Sequence, residues 1–199
     1  MPLGANKAAL FGMGGVSVGD VVLLDTWTAG GEASKEYAGF SSDYKQLVWQ
    51  FVNLHGSVAD TDWTFQTKTG VGSYGISTQS SAWRAYNSQN GSLSAKAYWP
   101  GADANQSLSL IMMSQDLNFT DAELALSGSM TLNNPTSSVY YKTWISRGAG
   151  NLQTSSPPAM GAFIAGYILT DVALDSIQFE FDSPTANIDT GKILYWGIK

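Results

Sequence analysis

The chain has one histidine, His55, and no cysteine, which narrows the chemistry open to it. A lone imidazole in Asn53-Leu54-His55-Gly56, with no Gly-x-Ser-x-Gly turn anywhere, offers no base for a serine nucleophile. A thiol nucleophile and a Cys-ligated zinc site are excluded with the cysteines. His55 therefore reads as a strand-end residue. Asp60-Thr61-Asp62 comes closest to a metal-ligand pattern. Carboxylates two residues apart point the same way on an extended chain and could share a hard cation such as calcium. They serve equally well as turn residues leading into a strand at Trp63, because Asp favours turns and caps. Glycoside hydrolysis needs a raised-pKa acid opposite a second carboxylate. Asp43, Asp60, Asp62, Glu123 and Glu180 are spread over several segments, and no spacing pairs two of them. The expectation is a protein with no catalytic residue, no cofactor and only a weak calcium candidate.

Aromatic residues are the other candidates. Trp83-Arg84-Ala85-Tyr86 and Tyr98-Trp99-Pro100 stand beside stretches rich in Ser, Asn and Gln. Exposed Trp and Tyr next to such residues can hold a sugar ring by stacking and by hydrogen bonds to its hydroxyls. Trp83, Tyr86, Tyr98 and Trp99 are thus candidates for glycan or partner contact, with core or subunit packing as the other reading. Trp49, Trp63 and Trp144 read as core. The Asn-x-Ser/Thr triplets at Asn90, Asn105 and Asn118 are what an Asn- and Ser-rich chain contains by chance.

The elements that must position these residues are strands. Ser176-Ile177-Gln178-Phe179-Glu180-Phe181-Asp182 alternates polar and apolar, and Gly191 to Lys199 follows as an aromatic strand. A connection over residues 183–190 reads as joining the two as a pair. Leu47–Asn53, Asp62–Thr67, Leu93–Trp99, Leu108–Met112, Ala122–Leu132, Val139–Ser146 and Ala162–Leu169 are further strands, with Val21–Leu24 a short one. Thr120 to Glu123 could instead form a helical capping box. Residues 28–42 read as a surface loop. About nine strands, parted by Gly-, Pro- and Asn-containing turns, predict an all-β, two-sheet antiparallel sandwich of the jelly-roll kind. It would occupy residues 21–199 behind a Gly- and Ala-rich N-terminal arm at residues 1–20. That arm reads as a mature segment, since glycines break its apolar run.

Composition limits the partners. Ten Lys and Arg face sixteen Asp and Glu, a net charge of -6, whereas phosphate binding needs clustered cations; nucleic acid is not expected. No stretch of about 18 apolar residues would span a membrane. Few charges with seven Trp and nine Tyr suit a β-protein working at interfaces or in an assembly.

The ending, Ser176-Ile177-Gln178-Phe179 followed by Asn187-Ile188-Asp189-Thr190-Gly191-Lys192-Ile193-Leu194-Tyr195-Trp196-Gly197-Ile198-Lys199, resembles the close of jelly-roll structural proteins from tailed-bacteriophage virions. Thr190 stands where that pattern has Ser, and Trp196 is inserted between Tyr and Gly, marking a contact of this chain's own. Leu126 to Pro135 with Tyr140-Tyr141-Lys142-Thr143 is similar to another segment of those proteins, and Tyr44–Leu54 with Trp63-Thr64-Phe65 to their opening strands. The likeness covers roughly residues 40–199 and brings no catalytic motif. It implies a virion role in a tail fibre or adhesion apparatus. The protein would be a homotrimer bound to other virion proteins, with its arm as anchor and host surface glycan as a candidate contact. A capsid decoration or head-fibre protein is the alternative in the same class; a free-standing carbohydrate-binding module is the alternative outside it.

Overall fold

The computed structural model describes residues 20–70, 72–88, 90–107, 111–152 and 158–199. These form twelve strands: β1 (Val21–Thr28), β2 (Ser34–Ala38), β3 (Gln46–Gly56), β4 (Thr61–Lys68), β5 (Thr78–Asn87), β6 (Ser94–Tyr98), β7 (Ile111–Leu117), β8 (Leu126–Asn133), β9 (Lys142–Asn151), β10 (Ala159–Ile168), β11 (Ser176–Phe181) and β12 (Ile188–Ile198). One 3-10 turn at Pro100–Ala102 follows β6. The protein is an all-β sandwich of two antiparallel sheets, ordered β1-β12-β3-β8-β9-β10-β5-β6 and β2-β11-β4-β7. Four pairs are nested along the chain: β1 with β12, β2 with β11, β3 with β8 and β4 with β7. The hairpins β5–β6 and β9–β10 interrupt this nest and extend the larger sheet beyond β8.

The two sheets meet over aromatic rings. Period-two alternation turns Leu47, Trp49 and Phe51 of β3 inward against Trp63 and Phe65 of β4 and Ile177, Phe179 and Phe181 of β11. Phe65 meets Trp144 of β9 edge-on at 5.0 Å. Lys142, at the start of β9, is buried among these residues. Its ammonium donates to the Thr170 and Val172 carbonyls at 3.0 and 2.7 Å, and burial pulls its pKa down.

Several expectations change. β11 and β12 are not partners: β11 lies between β2 and β4, β12 between β1 and β3, and residues 182–187 cross from one sheet to the other. Alternation finds a strand but cannot say which strand it pairs with. The loop expected over 28–42 contains β2, whose single buried large residue, Tyr37, leaves little pattern to read. β5 is a full ten-residue strand whose inward residues include Thr78, Ser80 and Ala82, too small to register as apolar. Residues 120–125 are neither strand nor helix; Asn118 Oδ1 accepts the Thr120 amide and hydroxyl, and β8 begins at Leu126. Val139, Tyr140 and Tyr141 precede β9 as exposed loop residues. Of the expected strand at Leu108–Met112, residues 108–110 lie outside the described residues, as does the arm up to residue 19. Asp20 is held by its carbonyl, which accepts the Lys199 amide at 2.9 Å.

Backbones approach closely at Gly128, where an added Cβ would collide with the Arg147 carbonyl oxygen and lie 2.9 Å from Gly148 Cα. Nothing there can rotate away. Gly128→Ala is expected to destabilise the fold by about 1–3 kcal/mol, the usual cost of overpacking. That lowers Tm by roughly 2–10 °C for a chain of this size. Gly161→Ala, where a Cβ meets nothing within 4 Å, serves as control and should leave thermal unfolding almost unchanged.

Candidate functional site

Because Ser80 and Ala82 of β5 turn inward, Ser81, Trp83 and Ala85 turn out onto the open face of the larger sheet. Strand register then lines up Arg147 of β9, Phe163 of β10, Trp83 of β5 and Tyr98 of β6 in one row across four strands. The Trp83 and Phe163 rings stack with centroids 4.2 Å apart and planes within 7°. The Arg147 guanidinium lies 5.7 Å from the Phe163 ring, and the Lys96 ammonium 5.7 Å from the Trp83 ring. Cations over aromatic faces are attracted by the ring quadrupole, so the ridge of rings carries one positive charge at Phe163 and a second beside Trp83. Trp83 stays 42% exposed and Tyr98 62%. The Tyr98 hydroxyl donates to Asp103 Oδ2, which raises its pKa. Shallow depressions flank the ridge. One of about 320 Å³ is lined by Ser81, Ile145 and Ala165, and one of about 670 Å³ by Ala85, Lys96, Ala159 and Gly161.

Tyr86 and Trp99 do not join this ridge. Tyr86 shares the inward parity of Ala82 and Arg84 and packs half-buried against the core. Trp99 is 4% exposed, with the Arg84 guanidinium 4.8 Å from its ring. Arg84 in turn reaches Asp116 of β7 at 4.0 Å. Trp99 is thus a core residue closed over by an ion-paired arginine, beyond reach of a ring stacking from solvent. Of the four aromatics the sequence suggested, the fold unites Trp83 and Tyr98 and adds Phe163, Arg147 and Lys96. Parity within β10 puts Phe163 opposite the buried Ala162 and Ile164, but nothing in the sequence reveals that it stands beside Trp83.

Trp196 faces outward from β12, between Leu23 of β1 and Val48 of β3, and its indole N–H donates to Gln50 Oε1 at 3.0 Å. It lines an apolar depression of about 340 Å³ with Val21, Val48 and Ile198. The flanking residues point inward: Tyr195 stacks on Trp49 at 5.2 Å, and a Cβ on Gly197 would strike the Tyr44 ring. Five strand spacings of about 4.8 Å separate β12 from β5, so Trp196 is about 24 Å from the Trp83 ridge and forms a separate surface.

The acidic turn also has a defined geometry. Asp60 is exposed at φ 60°, in the left-handed region Asp tolerates. Asp62 Oδ1 accepts the Asp116 amide at 2.7 Å, while the Asp62 amide and the Thr61 hydroxyl both donate to Asp182 Oδ1 at 2.8 Å. Burial pushes the Asp62 carboxyl up to about 7. The Asp116 amide opposes that rise, and the charges of Asp182, Asp116 and Asp60 add to it. Burial raises Asp116 as well. Among the described residues no three His, Asp or Glu side chains converge as a metal's ligands would. His55 lies half-buried with its ring 5.0 Å from Phe119.

No protein-family model, curated protein or solved structure matches the chain. The ridge combines exposed rings with charge, and the chemistry such side chains offer is stacking, charge pairing and hydrogen bonding.

The Asp62 carboxyl makes stability depend on pH. Its folded pKa lies above the unfolded value of 3.8, so between about pH 4 and 7 the unfolded chain releases a proton that the fold retains. Stability therefore falls as pH rises through that window and stays lower above it. Asp62→Asn keeps an oxygen for the Asp116 amide without the charge. It should raise Tm at pH 8 by a few degrees (roughly 2–4 °C per kcal/mol recovered) and leave it unchanged at pH 3. Equal shifts at both pH values would show that burial does not govern this carboxyl.

Proposed function

We propose that this protein is a non-enzymatic structural component of a tailed-phage virion, part of the tail fibre or adhesion apparatus, and that its sandwich is a jelly roll. The nested pairing carries the reading. A ribbon of four nested antiparallel pairs, rolled so that alternate pairs fall in facing sheets, gives an eight-stranded jelly roll. Here β1·β12 and β3·β8 lie in one sheet, β2·β11 and β4·β7 in the other. The two segments with the most specific resemblance to virion jelly rolls are β11 and β12, an inner strand of each sheet. The protein works by shape. Its aromatic core keeps the module rigid, its open sheet faces meet other copies in a homotrimer, and residues 1–20 anchor it to neighbouring virion proteins. The exposed Trp83 and Tyr98 favour a second role, contact with host surface glycan. If the protein were a free-standing carbohydrate-binding module, that contact would be its whole function.

Gold-labelled antibody on purified particles tests the assignment. Label at the tail supports it, label over the shell moves the protein to the decoration class, and particles free of the protein overturn it. A variant lacking residues 1–20 should leave a folded domain that is missing from particles. Normal incorporation of that variant would remove the arm from the assignment.

A further inference from the structure

We propose that the Trp83–Phe163 ridge is a docking site for an acidic polysaccharide, one whose sugar rings carry carboxylates. The proposal rests on the glycan-contact role above and names the chemistry it selects. It starts from where the charges are. The chain carries sixteen Asp and Glu, yet β8, β9, β10, β5 and β6, five adjacent strands of one sheet, contain none. The same strands carry Arg147 and Lys96 on the outer face. Lys35, Lys68 and Arg84 pair with carboxylates, and Lys142 is buried on carbonyls. Arg147 and Lys96, by contrast, meet only aromatic rings among the described residues. Asp103, at the Tyr98 edge, accepts the Ala82 amide and the Tyr98 hydroxyl. A net-negative protein thus presents a face whose five strands carry two outward cations and no acid, with the Asp103 carboxylate at its Tyr98 edge. Within a Debye length of about 8 Å those cations set the local field.

The shape and chemistry of the face select the occupant. The exposed Trp83 ring and the half-buried Phe163 stacked on it offer apolar surface to the C–H faces of sugars, and Ser81 offers a hydroxyl beside them. A neutral sugar would use the rings and leave both cations without a counter-charge. A uronate-type ring uses both, because the guanidinium fork matches a carboxylate and is already held over Phe163. Two cations are too few for a nucleic-acid backbone.

Calorimetric titration of the full chain with tetragalacturonate and tetramannuronate, against cellotetraose as neutral control, tests this. Saturable binding of an acidic oligosaccharide is expected, weakened by high salt and about 10-fold or more by Arg147→Gln or Lys96→Gln, and lost in Trp83→Ala. All three positions are on the exposed face, and unchanged thermal unfolding of each variant checks that the fold survives. No binding of either acidic probe, equal binding of cellotetraose, or affinity unchanged in Arg147→Gln and Lys96→Gln would overturn the proposal. A concentration-dependent oligomer that Trp83→Ala dissociates would also overturn it, assigning the ridge to a second copy. Particle labelling reports separately on the virion assignment, so either reading can fail alone.

Discussion

The ring of Phe179 is the contact on which the sandwich depends. It sits in β11, inside the smaller sheet, and meets Trp49 at 5.4 Å and Phe51 at 5.3 Å from the opposite sheet. Trp63 stacks on it at 6.0 Å and Tyr37 meets it edge-on at 6.3 Å from neighbouring strands. Each such ring buries on the order of 150–250 Å², and edge-to-face pairs add about 0.5–1.5 kcal/mol beyond that area. Among the described residues the indole N–H groups of Trp49, Trp63 and Trp144 are buried without an acceptor, each a penalty of roughly 1–3 kcal/mol. Apolar packing has to outweigh that penalty. This core is therefore specified by ring shape far more than by polar pairing.

That core explains how the larger sheet can grow past its partner. Four strands face eight; β9 still meets the smaller sheet through Trp144 on Phe65, but the inner side of β5, further along, needs another cover. Trp99, Ala102 and Ala104, on the segment after β6, supply it, tied to β5 by the Trp99 amide on the Ala82 carbonyl and the Ser80 amide on the Ala104 carbonyl. Arg84 lies over Trp99 and pairs with Asp116 of β7, joining the overhang to the smaller sheet. The adjacent residues Tyr98 and Trp99 consequently serve opposite faces: one closes β6 on the outside, the other closes the core.

The same division decides what could be read from the chain. β3, β4, β8 and β11 alternate large apolar with polar residues, so their existence and inward faces were legible. β5 showed only as a weak strand ending at Trp83 to Tyr86, because its inward residues are Thr, Ser and Ala, and β2 was not legible, because one Tyr makes no period. The site was half legible. Trp83 and Tyr98 stood out by type, but Phe163, Arg147 and Lys96 reach them only through the register of β9, β10, β5 and β6. Register depends on contacts far apart in sequence. Asp60 and Asp62 looked like a ligand pair by spacing alone. In the fold the two differ: Asp60 is exposed, while burial pushes Asp62 up to about 7, the charges of Asp182, Asp116 and Asp60 adding to the rise.

Scaffold and surface are thereby assigned to different parts of the chain. The nested strands β1–β4, β7, β8, β11 and β12 hold Phe179 and most of its neighbours, together with all the strand carboxylates. The inserted hairpins β5–β6 and β9–β10 hold the ridge and no carboxylate at all. An insertion that pairs only at the open edge of β8 leaves the nested pairs intact. Its outward residues can then vary without touching the ring cluster that closes the sandwich. Acid side chains on those hairpins would neutralise Arg147 and Lys96 at no cost to the core, so packing does not require their absence. The segregation of charge is a property of the surface alone.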